Sequence, residues 1–156
     1  MTPASSHWSE RRRRRRRQEW LRLVWPEPVE RIAAFLRNSG VEGRLEELLP
    51  GAGPPAGQKL RADGFDGDGA TVVALVPAAR SVDERKLAAV GGYREIRPAP
   101  ASDFPFEGAR VFMDQSLLSV DGVWLEAGSP RHVLEVSPVQ IARVTSAETA
   151  DLLREG

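Results

Sequence analysis

Few residues in this chain combine a reactive side chain with a backbone able to aim it. Most of them fall in Gly122–Thr145, GVWLEAGSPRHVLEVSPVQIARVT. Ala127-Gly128-Ser129-Pro130 is a turn, because glycine frees the backbone and proline removes a donor. It stands between two runs of β-forming residues, Val123–Leu125 and His132–Val136. A turn held that way offers free backbone N–H groups and the Ser129 hydroxyl to a small ligand. Serine-hydrolase chemistry is not signalled, since there is no Gly-x-Ser-x-Gly elbow and no histidine marked as a partner for Ser129.

Much other chemistry is excluded outright. There is no cysteine, hence no disulfide framework, no thiolate and no cysteine metal site. The two histidines, His7 and His132, are too far apart in sequence to suggest a metal cluster. Asp63, Asp66 and Asp68 among glycines invite a calcium reading. An EF-hand loop needs a closing glutamate and flanking helices, however, and Asp-Gly between apolar runs reads as a hairpin turn. Neither a GxxxxGK[ST] phosphate loop nor a GxGxxG fingerprint after a strand occurs.

The elements that must position these residues come from one domain. With 156 residues, 41% hydrophobic and 28% charged, the chain can bury one core. Net charge is +0, yet Arg11–Arg17 is a block of seven like charges, and removing it leaves the rest at −7. Such a block repels itself and stays solvated. Residues 1–25 therefore read as a disordered or partly helical arm. The arm is either an incidental extension or a grip on nucleic-acid phosphates through charge alone. No apolar run approaches the roughly 20 residues of a membrane span, and none follows the arginines as in a signal peptide. The cytoplasm is the expected compartment, and no membrane partner is expected.

Along the chain, Val29, Ile32, Ala33 and Leu36 recur at helical spacing, with Pro28 in the first turn and Gly40 beyond the end. A strand is expected around Leu45, then a Gly/Pro loop over Pro50–Gly57. Gln58–Phe65 is compatible with a strand entering a hairpin at Asp66–Gly69, and Thr71–Val76 is a buried strand. Ser81-Val82-Asp83-Glu84 is a capping box before a helix over Asp83–Val90, stopped by Gly91-Gly92. Short strands are expected at Tyr93–Arg97 and Arg110–Met113, and the loop between them presents Phe104 and Phe106 to the core. Ser137-Pro138-Val139-Gln140 opens a last helix. Ala147–Arg154 reads as a terminal helix or a frayed tail. The pattern is one small mixed α/β (α+β) domain over residues 28–150, with 151–156 as a tail.

LVPAARSVDERKLAAV, followed by ARVFMDQSLLSVDGVWLEAGSPRHVLEVSPVQIARVT, resembles the YbaK/ProX-like aminoacyl-tRNA editing domains. The features that match are Val76-Pro77, Asp83 with Lys86, Met113-Asp114, Gly128-Ser129 and Val136-Ser137-Pro138. VERIAAFLRNSGV is similar to the family's first helix. The resemblance implies a compact domain with a mixed, mostly antiparallel sheet and flanking helices, without metal or cofactor. It implies hydrolysis of the ester between a wrong amino acid and its tRNA, of the prolyl-tRNA editing type, with mischarged tRNA as partner. Such an ester is already activated, so a positioned water and N–H groups on the carbonyl oxygen suffice.

The resemblance also implies a catalytic set of Gly128 and Ser129 with a cation at the family's strand lysine. Ungapped alignment places Arg61 there, and Lys59, two residues earlier, points to the same face of a strand. Asp114, Lys86, Arg131 and His132 are the implied substrate-binding residues. Each has a structural reading beside this one. Gly128 is then a turn glycine, Ser129 a bridge across the turn and Asp114 a helix cap. His132 is then a partly exposed packing residue and Lys86 a solvated charge. The alternative function is the same scaffold binding tRNA or an amino-acid-like ligand without turnover.

Overall fold

The computed structural model describes residues 25–155. The readings made for Met1–Val24, the Arg11–Arg17 run included, lie outside the described residues. Helix α1 (Glu27–Ser39) forms where its periodicity places it. Pro28 sits in the first turn, where a missing N–H is no loss, and Gly40 closes the helix at φ 65° with its N–H on the Leu36 carbonyl. There follow β1 (Gly43–Glu47), β2 (Gln58–Gly67), β3 (Ala70–Pro77), α2 (Glu84–Gly91), β4 (Ile96–Pro98) and β5 (Arg110–Asp114). A 3₁₀ turn (Gln115–Ser119), β6 (Val123–Glu126), β7 (His132–Val136), α3 (Pro138–Thr145) and β8 (Glu148–Ala150) complete the order.

These elements make the expected mixed α/β domain. Its eight strands form one sheet in the order β1-β7-β6-β2-β3-β5-β8, with β4 paired to β2. The longest ladder, β2 against β3, is antiparallel, as are β1–β7, β6–β7 and β2–β4. The β2–β6, β3–β5 and β5–β8 pairs are parallel. The β2–β3 hairpin turns at Asp68 (φ 52°) and Gly69 (φ 88°), a two-residue turn with both residues left-handed. The Asp68 carboxylate accepts the N–H groups of Arg94 and Glu95, both at 2.9 Å, which hold it below its ordinary range. Asp68 and Asp66, which accepts Gly69 N–H at 2.8 Å, thus shape a turn, while Asp63 pairs with Arg61. Among the described residues no group of three or more His, Cys, Asp or Glu is arranged to hold a metal.

The sheet is covered on both faces, which is why β3 reads as a continuous apolar run. Val73 and Leu75 meet Ile32 and Leu36 of α1, while Val72, Ala74 and Val76 meet Leu87 of α2. Tyr93, expected to begin a strand, instead lays its ring over Gly67 and Gly91. A Cβ on either glycine would stand 2.8 Å or 2.2 Å from that ring. The strand there is correspondingly later, at Ile96–Pro98.

The C-terminal segment is neither a helix nor frayed. Glu148–Ala150 is β8, parallel to β5, Leu153 bridges Val82, and Leu152 is 0% exposed. The stretch is too short to show a period, and long-range bonds set its path. Leu152 N–H donates to the Asp114 carboxylate at 2.9 Å, and Asp83 N–H to the Leu152 carbonyl at 2.7 Å. The Lys86 ammonium, expected as a solvated charge, donates to Asp151 at 2.9 Å and to the Leu153 carbonyl at 2.7 Å. Residues 151–155 therefore pack into the domain.

Leu152→Ala should cost about 2–5 kcal/mol in urea unfolding, as a buried large-to-small change. The Lys86 clasp should also make this segment pH-sensitive. Asp151 is lowered by the Lys86 hydrogen bond and the Leu153 N–H, so its contribution is present above the ordinary carboxylate range and is lost as pH falls through its folded value. Lys86 is raised by Asp151, so its contribution is present below the ordinary lysine value and is lost as pH rises through the folded one. Amide exchange at Leu153, corrected for intrinsic rates, should quicken below about pH 4 in the native protein and change less with pH in Lys86→Met, where Asp151 keeps only the Leu153 N–H.

Candidate functional site

The residues singled out in the sequence fall on separate cavities, and Arg61 also borders a further one of about 490 Å³ beside Asp63, Phe65 and Arg154. Lys59 and Arg61 line a cleft of about 430 Å³ with Leu60, Ala62, Leu125, Glu126 and part of the 101–106 loop. Ser129, Arg131 and His132 line a cavity of about 480 Å³ with Trp25, Pro26, Glu47 and Pro130. Lys86 and Asp114 line neither.

The cleft exists because β2 and β6 pair only at Gln58–Val123 and Lys59–Trp124 and then part. A loop crosses β2 just beyond. Ala99 N–H donates to the Gly64 carbonyl at 2.9 Å, and a Cβ on Gly64 would lie 2.4 Å from the Ala99 carbonyl oxygen. Only glycine admits that crossing. The loop then buries Phe104 and Phe106, which meet edge to face at 5.8 Å, with Phe35 of α1 against Phe104 at 5.7 Å. Phe106 holds φ 61°, a strained region for a bulky residue. Its burial and its N–H bond to the Asp103 carbonyl at 2.9 Å keep it there.

The two candidate cations of β2 differ in what they already hold. Arg61 donates through Nε and Nη2 to the Asp63 carboxylate at 2.8 and 3.0 Å. It also donates through Nη1 to the Ala78 carbonyl at 2.6 Å and through Nη2 to the Arg80 carbonyl at 2.7 Å. The bond to Asp63 raises its pKa further above the ordinary arginine value. Its fork is thus committed to pinning the β3–α2 connection. The Lys59 ammonium lies 5.2 Å from the centroid of the Trp124 ring and makes no ion pair among the described residues. Of the two, Lys59 is the one without a carboxylate partner among the described residues, and the exposed carboxylates of Asp103 and Glu126 border the same cleft.

Gly128 lines neither the cleft nor the cavity of Ser129 and lies in the turn between Glu126 of the one and Ser129 of the other, at φ 84°. A Cβ there would lie 2.8 Å from the Val29 nitrogen and 2.9 Å from the Pro28 carbonyl carbon, so the turn rests directly on the first turn of α1. Ser129 Oγ accepts Arg131 N–H at 3.1 Å and lies 2.6 Å from His132 Nδ1. The expectation that Ser129 has no histidine partner is corrected here. A turn returns the chain three residues later, so a serine and a histidine at that spacing meet across it, and this short spacing is the signal that could have found the pair. His132 is also not partly exposed. It is 4% exposed because the pleat sets it on the same face as Leu134 and Val136, and Trp25 packs edge-on against it at 5.4 Å. Its Nε2 is buried without a hydrogen-bond partner among the described residues. Asp114, 1% exposed, accepts from Ser116 N–H, Ser116 Oγ and Leu152 N–H, which makes it a cap and a tie to the C-terminal segment.

No protein-family model and no curated protein matches the chain. Among solved structures, the chain is similar to a candidate trans-editing enzyme for prolyl-tRNA synthetase, with a TM-score of 0.72 and 21% identity, covering 85% of this chain and 99% of that one. A computationally designed scaffold for presenting linear epitopes is similar at TM-score 0.72 and 19% identity, covering 84% and 99%. A hypothetical protein follows at TM-score 0.70 and 16% identity, covering 79% and 99%. At these identities the likeness is one of fold.

The two cations should separate in a stability assay. Arg61→Ala, which frees two carbonyls and Asp63, should lower the unfolding free energy by about 1–2 kcal/mol for a partly exposed group. Lys59→Ala should stay within about 0.5 kcal/mol of the native protein. Gly128→Ala should destabilise by about 1–3 kcal/mol in the same urea titration.

Proposed function

We propose that this protein is a trans-acting deacylase that hydrolyses the ester of a mischarged tRNA, of the prolyl-tRNA editing type. The observation that carries the reading is Lys59, a cation without a carboxylate partner at the cleft where β2 and β6 part. The fold it shares with a candidate prolyl-tRNA trans-editing enzyme supports the substrate class. In this reading Lys59 holds the ester carbonyl oxygen and stabilises the charge that gathers on it as water attacks. Asp103 and Glu126 offer one carboxylate to the α-ammonium group of the amino acid and one to orient the water. The proton lost by that water ends on the departing ribose oxygen. The walls of Leu60, Ala62, Leu125 and Phe104 exclude bulk water and strengthen the field of Lys59.

A second reading, a module that binds tRNA or an amino-acid-like ligand without turnover, is favoured by the commitment of Arg61. At the position the family fills with lysine, this chain has a guanidinium already held by a carboxylate and two carbonyls.

Deacylation of tRNA mischarged with alanine, cysteine or serine decides between them. The native protein should release the amino acid, and Lys59→Ala should lower kcat/KM by about 10²–10³-fold while remaining folded. No release above background by the native protein would leave the binding reading. The basic arm makes a separate prediction. Removing residues 1–24, which spares Trp25, should flatten the dependence of log affinity for RNA on log salt, by about 0.7–0.9 for each phosphate that the arm neutralises. An unchanged slope would make the arm incidental.

A further inference from the structure

We propose that Ser129 and His132 form a second hydrolytic site, independent of the Lys59 cleft, for activated carboxylic esters that carry a flat apolar group. Three observations meet at this turn. Ser129 Oγ lies 2.6 Å from His132 Nδ1, within reach for proton transfer, and both residues line a cavity of about 480 Å³. Arg131 N–H donates to Ser129 Oγ, which leaves the hydroxyl proton free to point at Nδ1, and the proposed reaction uses the tautomer whose imidazole proton stands on Nε2. That Nε2 is buried, with His132 4% exposed, and has no hydrogen-bond partner among the described residues. A purely structural histidine would be expected to satisfy it.

The surroundings fit a nucleophile. Among the described residues, neither the Gly128 nor the Ser129 N–H has a hydrogen-bond partner. They are uncommitted amides of the same turn, of the kind that stabilises an oxygen that becomes charged when a serine adds to a carbonyl. Trp25, Pro26 and Pro130 give the cavity flat apolar walls, which sets the class of substrate. Glu47 pairs with His132 across β1 and β7 and lines the same cavity, so its carboxylate stands on the same face as the imidazole.

The reaction balances with water alone. Ser129 Oγ attacks the acyl carbon while its proton passes to His132 Nδ1. The leaving oxygen departs with that proton, and the acyl group remains as an ester on Ser129. Water then adds to this ester, giving a proton to Nδ1. Ser129 leaves with that proton, and the carboxylic acid is released. While Nδ1 carries the extra proton, the Glu47 carboxylate stabilises the imidazolium.

The test is labelling of the folded, full-length protein with an alkyl fluorophosphonate, followed by peptide mass spectrometry, with p-nitrophenyl acetate hydrolysis measured in parallel. The expected result is an adduct on Ser129, its loss in Ser129→Ala, and hydrolysis slowed by about 10²-fold or more in His132→Asn. Lys59→Ala should label at the native rate. If His132→Asn does not fold, Ser129→Cys reads the same base, and iodoacetamide should alkylate it at least about 10-fold faster than a free cysteine at neutral pH. Absence of an adduct at Ser129 would overturn the proposal. So would Ser129→Ala hydrolysing at the native rate, labelling lost in Lys59→Ala, or a Ser129→Cys no more reactive than free cysteine.

Discussion

The structure depends on one strand being shared. β2 gives its first residues to β6, its last to β4, and nearly its whole length to β3. It pairs with β6 only as far as Lys59, and beyond that the loop leaving β4 crosses it at Gly64, at a distance that excludes any side chain. A backbone normally fills its ladder positions. Here the ladder is interrupted beside that crossing, and the interruption opens the cleft. The phenylalanines that close one face of the core are also the wall of that cleft. Core packing and site geometry are therefore set by the same residues.

Much of the scaffold was legible because its signals are local. Pro28 with Gly40, the Asp68-Gly69 turn and the Ser137 cap each specify an element through a few adjacent residues, and each stands where its sequence predicts. What could not be read were positions fixed by distant partners. Tyr93 looks like a strand residue until the two glycines that seat its ring are brought beneath it. Residues 148–153 show no period, since β5, α2 and Asp114 hold them rather than any pattern of their own. The site followed the same division. That β2 would supply a cation was readable from Lys59 and Arg61. Which one is free depends on the carbonyls of Ala78 and Arg80, which only the folded chain brings to Arg61.

Fold and chemistry are separable here. The sheet order and the covered faces are features that unrelated activities share, as the likeness to a designed epitope scaffold illustrates. The proposed activities rest instead on which polar groups remain uncommitted among the described residues once the fold has formed. Arg61, Lys86 and Asp114 are bound into the scaffold, whereas Lys59 and the imidazole Nε2 of His132 are not. A sequence alignment weighs all of these polar residues alike, but their hydrogen bonds distinguish them.

The burial of Leu152 and Leu153 has a consequence for folding. The face of the sheet that carries α2 is completed only when these residues dock, since β8 and the bridge to Val82 contact residues far behind them in the chain. The α1 face, apart from its α3 end, closes without them, but on the other face Leu87 of α2 covers only part of what Leu152 and Leu153 complete beside Val82 and Phe112. A chain from which residues 148–153 are missing or not yet docked therefore presents part of an apolar sheet surface. In that state it is most open to chaperone capture or to aggregation.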